Sequence, residues 1–208
     1  MKKTGKFIAI LLVILFAAPI EMNGTGLNMN NLKVPEYKTI IRQTRQRIIP
    51  TKTIWLSSLD LTKMNQGIGK PVLDKNADLK PLSIAKQIFK KGVGTRVNSS
   101  LWIDLGGASN RFVASVGVDD DTINRAKVTI HNFKIVGDGK KLWESGPMNY
   151  GDPAKKVDVN IEGVKTLVLF VFNVGSRASQ VQLDWADAKF IVQGREPVTI
   201  NPPKEEYV

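Results

Sequence analysis

The chain has 208 residues, no cysteine and a formal net charge of +11. That length fits one domain with tails or two small ones. The missing thiols exclude a disulfide framework, a thiolate nucleophile and a Cys-ligated zinc. The basic balance favours anionic partners such as acidic glycans, cell-wall polymers, lipid head groups or nucleic acid, and equally a solvated tether.

Lys2, Lys3 and Lys6 form a basic start, followed by a 14-residue apolar run, Phe7 to Ile20. A membrane span needs about 20 residues, so the run matches a secretory signal better than a span. We expect a signal peptide over 1–24, hence a secreted or periplasmic protein with no membrane span after cleavage. Export without cysteine points to a bacterial source. Cleavage there would leave 27 basic against 18 acidic residues. Residues 25–52 read as a basic linker carrying Lys33, Lys38, Arg42, Arg45 and Arg47.

Between residues 53 and 193 the apolar period is mostly two. Phe112, Ala114, Val116 and Val118 alternate with polar or small residues, as do Val157, Val159 and Ile161. Val181, Leu183 and Trp185 alternate with Gln182 and Asp184. These are strands with one face buried and one wet. Leu167 to Phe172 is apolar on both faces and should be a central strand. Val128 and Ile130 share one parity, Phe133 and Ile135 the other, which predicts a bulge at His131-Asn132. Turn signals at Gly137-Asp138-Gly139, Gly151-Asp152-Pro153 and Glu162-Gly163 separate the strands. The expected fold is all-β, a β-sandwich or jelly roll. Residues 194–208 read as a C-terminal tail.

The chemistry-bearing residues are few. His131 is the single histidine. It lies within a strand and has no nucleophile elbow beside it, so no catalytic triad is expected. Asp119, Asp120 and Asp121 end a strand in a loop. A calcium ion accepts carboxylates together with backbone carbonyls, and capping or ion pairing is the plainer alternative. Paired glycosidase carboxylates cannot be read from three consecutive acids. Asp184-Trp185-Ala186-Asp187-Ala188 sets an aromatic between two acids, the parts of a sugar site, although parity with Leu183 favours a core position for Trp185. Trp102 and Trp143 are further candidate platforms.

From Trp55-Leu56-Ser57-Ser58-Leu59-Asp60 to Asp184-Trp185-Ala186-Asp187-Ala188 the chain resembles the NPCBM domain. This module accompanies family 98 glycoside hydrolases and is grouped as carbohydrate-binding module family 51. The resemblance rests on the Lys91 to Thr95 segment, Asn98-Ser99, Val116 to Asp120, Phe133-Lys134-Ile135 and Gly137-Asp138-Gly139-Lys140, in order, over about two thirds of the chain. It implies a galactose-binding-like β-sandwich that binds terminal sugars, without catalysis and with a structural calcium. The family carries His where this chain has Arg96, whose guanidinium would pair with an acidic sugar. The expected carbohydrate-binding residues are Arg96, Asn98, Asp184, Trp185 and Asp187, with Asp119 to Asp121 as the metal candidates. The expected partner is a glycan, galactose-containing or acidic, and not nucleic acid. The alternative is a structural or adhesion sandwich that has lost sugar binding.

Overall fold

The computed structural model describes residues 50–122, 131–173 and 181–203. The expected signal peptide, nearly all of the linker, Val128, Ile130 and the end of the tail lie outside the described residues. The chain divides into two units, residues 1–49 and 50–208, and every described residue belongs to the second.

Among the described residues the chain forms strands β1 (Lys52–Trp55), β2 (Asn65–Gln66), β3 (Val72–Leu73), β4 (Leu82–Ile84), β5 (Gln87–Phe89), β6 (Gly92–Arg96) and β7 (Ser99–Asp104). It continues with β8 (Ser109–Val118), β9 (His131–Gly137), β10 (Lys140–Glu144), β11 (Lys155–Asn160), β12 (Thr166–Asn173), β13 (Gln182–Val192) and β14 (Val198–Ile200). One antiparallel sheet runs β11-β8-β13-β6-β3, with β1 beside the second half of β13. The other runs β10-β9-β12-β7-β14, with β2 beside the start of β7. Strands β4 and β5 form a separate hairpin. The architecture is the all-β sandwich that the period-two pattern implied, in the galactose-binding-like form that the resemblance implied.

The doubly apolar β12 is central, between β9 and β7. Its inward side chains Leu167, Leu169 and Val171 meet those of β8, β9 and β13 in the core. Trp185 on β13 is completely buried, with its ring 5.1 Å and 88° from Phe133 of the opposite sheet and 6.0 Å from Phe112. Edge-to-face contacts of this kind add about 0.5–1.5 kcal/mol beyond the area they bury.

The expected bulge at His131-Asn132 does not occur. β9 pairs with β12 from His131 to Gly137 without a shift. His131 is itself buried and takes the inward place ahead of Phe133 and Ile135, so no register correction is needed. A bulge occurs instead in β13, where Asp187 and Ala188 lie between the pairs Ala186↔Ser115 and Lys189↔Val113. It lets Trp185 and Ala188 both face the core, and Asp187 takes a left-handed conformation, φ 47°. Asp is among the side chains that tolerate that region.

Residues 74–91 lie on the outer face of the first sheet, which glycines flatten. A Cβ built on Gly94 would stand 2.4 Å from the Lys75 carbonyl oxygen, and one on Gly117 2.4 Å from Ile84 Cγ2. Leu82, Ile84, Phe89 and Ala186 form a second small core beneath this cover. Gly94→Ala should therefore destabilise the domain by about 2–3 kcal/mol, the upper range of overpacking. Thermal denaturation followed by circular dichroism should show a Tm lowered by roughly 5–10 °C; an unchanged Tm would mean that the cover yields freely.

Candidate functional site

The register places Arg96 opposite Gln182 at one end of the first sheet. Asp78, from the covering segment, joins them. Arg96 Nη2 donates to Asp78 Oδ1 at 2.6 Å, and Gln182 Nε2 donates to Asp78 Oδ2 at 2.8 Å. Gln66 braces the group from β2: its Oε1 accepts from Thr95 Oγ1 at 2.5 Å and from the Arg96 backbone N–H at 3.3 Å. The Arg96 side chain is 12% exposed and that of Asp78 31%. Asn98 is exposed at the β6–β7 turn, in a left-handed conformation of φ 58°, with its Cβ 3.7 Å from the Cβ position of Gly67. Arg96 and Asn98 thus stand at one end of the sandwich with Gln66, Asp78 and Gln182.

The other expected sugar contacts do not join them. Trp185 has zero exposure, so its ring offers no face to a sugar; it spans the core, as parity favoured. Asp184 is also fully buried, under the β4–β5 hairpin. Asp187 lies beyond the Ala186↔Gly92 pair, five residues from Gln182 and roughly 16 Å away at strand rise. Trp102 is half-buried on β7, and Trp143 packs against the core.

Asp119 to Asp121 form a second polar cluster that ties down the cover. Asp119 Oδ1 accepts from Asn76 Nδ2 at 3.0 Å and from the Asp121 N–H at 2.9 Å, and its Oδ2 accepts from the Ser83 N–H at 3.0 Å. Asp120 Oδ2 accepts from Ser83 Oγ and from the Lys86 N–H at 2.8 Å. Asp121 accepts from Asn76 Nδ2 at 2.8 Å and from Lys80 Nζ at 3.1 Å. Both Asp119 oxygens thus accept from N–H donors. Among the described residues no group of three or more His, Cys, Asp or Glu is placed to hold a metal ion. The three carboxylates cap the covering segment.

Neither Asp184 oxygen has a well-formed hydrogen bond among the described residues, and the nearby Ser83 N–H favours the carboxylate less than burial and Asp119 oppose it. Burial, and next the charge of Asp119, push the Asp184 carboxyl well above the usual carboxylate range. The protonated form can donate to Asp119 where two charges would repel. His131 is driven the other way, down to about 4, because burial disfavours the imidazolium.

Sequence reasoning missed Asp78, Gln66, Gln182 and Asn76. Gln182 shares the outward parity of Asp184, a usable signal. Asp78 and Asn76 lie in an irregular segment, where nothing in the spacing marks them.

The described residues thus form an all-β sandwich with a polar, loop-braced end. Residues 52–191 match the NPCBM/NEW2 domain. The chain belongs to that family. It is 28% identical to the family 51 module of Clostridium perfringens GH95, solved with methyl-galactose, with a TM-score of 0.60 over 67% of this chain and 99% of that one. It is 27% identical to the second such module of Clostridium perfringens ZmpB, solved with GlcNAc, with a TM-score of 0.62 over 68% of this chain and 32% of that one. A blood-group-substance endo-1,4-beta-galactosidase of Clostridium perfringens is 32% identical over 51% of this chain and 14% of its own length. The chain spans between 8% and 17% of the length of the curated relatives it matches.

The raised Asp184 carboxyl sets a pH dependence. A carboxyl held above its ordinary 3.8 is compatible with folding while protonated, and stability falls as pH rises from there toward the folded value. Asp184→Asn keeps the shape and needs no proton. Its Tm advantage over the wild type should widen between pH 5 and pH 8, reaching at least about 1 kcal/mol in stability. Parallel denaturation curves at the two pH values check this, and an identical pH response of the two proteins would refute it.

Proposed function

We propose that this chain is an exported, non-catalytic module that binds the terminal sugar of a glycan at the Arg96 end of the sandwich. The observation that carries the reading is the partly exposed Arg96–Asp78 pair, a donor and acceptor set braced by the buried Gln182 at one end of the sheet. Recognition residues on loops held by a scaffold are the usual arrangement for binding. Binding of methyl-galactose and GlcNAc by two relatives supports a sugar as the ligand class.

The geometry alters the expected specificity. The guanidinium that would have met an acidic sugar already faces the Asp78 carboxylate. A charge-balanced pair suits neutral hydroxyls, since one side donates and the other accepts. The favoured ligand is therefore a neutral terminal galactose or N-acetylhexosamine. The apolar run at Phe7 to Ile20 supports export, and an intact mass from the culture medium short of the leader would establish it.

Hydrogen bonds to charged groups contribute about 1.5–3 kcal/mol each. Arg96→Ala should weaken binding of methyl-galactoside or N-acetylglucosamine at least about tenfold by calorimetry. Asp78→Ala should do the same, with the fold retained in both. Equal affinities in wild type and both variants would remove this end from the site and favour a structural role for the sandwich.

A further inference from the structure

Beside the Arg96 end a groove of about 600 Å³ runs along the edge of the sandwich. Gln66 and Gly69 line it, and these same two residues border Arg96: Gln66 accepts the Arg96 backbone N–H, and the Gly69 Cβ position is 3.7 Å from Arg96 Nε. The groove is therefore continuous with the proposed sugar site. Its remaining lining is mixed. Leu61, Pro71 and Leu73 supply apolar side chains, and Asn65, Lys70 and Asp60 supply polar groups of both kinds. The Asp60 carboxylate is held in place by the Thr62 N–H at 3.0 Å and the Thr62 hydroxyl at 2.6 Å, and the first of these caps the short turn Leu61–Lys63. Those bonds, the hydroxyl first, hold it below the usual carboxylate range. Asn65 and Lys70 are exposed, and neither side chain makes a hydrogen bond or ion pair among the described residues.

Small-molecule sites span roughly 300–1,000 Å³, so this groove has room for a sugar of its own. Apolar side chains together with an amide, an ammonium and a carboxylate match a pyranose, which has a C–H face and a rim of hydroxyls. Opposite charges within one groove disfavour a strongly charged ligand. Leu73 is 51% exposed although it lies on a paired strand. That leaves an apolar side chain open to a packing partner.

We propose that the groove is a second sugar subsite, so that the protein recognises an oligosaccharide, with its terminal sugar at Arg96 and the next neutral pyranose against Leu73 and Pro71, hydrogen-bonded by Asn65 and Lys70. The proposal rests on the glycan-binding reading above. Calorimetry with the full chain separates the two, using three probes: methyl β-galactoside, N-acetylglucosamine and the disaccharide in which galactose is β-1,4-linked to N-acetylglucosamine. The wild type should bind the disaccharide roughly tenfold or more tightly than the better monosaccharide. Lys70→Ala and Asn65→Ala, each checked by thermal melting, should each erase most of that advantage. Arg96→Ala should weaken all three probes. Equal affinity for disaccharide and monosaccharide, or an advantage that survives both groove substitutions, would overturn the subsite and leave the glycan reading standing. Binding of no probe by the wild type would overturn both.

Discussion

The buried Trp185 is the contact on which the arrangement depends. It reaches from β13 across the sandwich to Phe133, and no disulfide or short crosslink takes its place. Strand alternation then settles its neighbours. With Trp185 inward, Gln182, Asp184 and Ala186 must face outward, and all three are nevertheless fully buried. Something must cover them, and residues 74–91 do. The core of the sandwich thus dictates the position of the segment that carries Asp78 to Arg96.

That cover could not be held by apolar contact alone, because its second core is small. Hydrogen bonds from Asn76, Ser83 and Lys86 to Asp119 and Asp120 complete the attachment. Unpaired carboxylates at this depth would cost several kcal/mol each, so the donors are required once the acids are placed. The run of three acids that resembled a cation loop in sequence is a fastening for the covering segment. Asp184 is the exception to this satisfaction, and burial beside Asp119 pushes its carboxyl well above the usual carboxylate range.

The sandwich was legible because period-two burial leaves a trace in every strand. The central position of β12 followed from its two apolar faces. The core position of Trp185 followed from parity, while the sugar-site motif in which it sits pointed outward; packing decided between them. The end of β13 was not legible, since one extra residue at Asp187 reverses parity and composition does not announce it. The surroundings of Arg96 were only partly legible. The resemblance marked Arg96 and Asn98, but Asp78 reaches Arg96 from 18 residues away through a segment without periodicity. Only the folded chain shows that the guanidinium already has a carboxylate.

That ion pair separates the charge of the chain from the proposed recognition surface. Several cations of the sandwich stand in pairs, among them Lys52–Glu196, Lys91–Asp74, Arg111–Asp158 and Arg195–Asp104. Exposed pairs of this kind add little stability, about 0–1 kcal/mol. They do lower the local field, and so weaken any pull on a distant polyanion. What the Arg96 end offers is direction: N–H donors and carboxylate acceptors fixed before a ligand arrives. Sugar hydroxyls carry no charge and differ mainly in orientation. A neutral, pre-oriented set discriminates among them by geometry, and loses least to screening by salt.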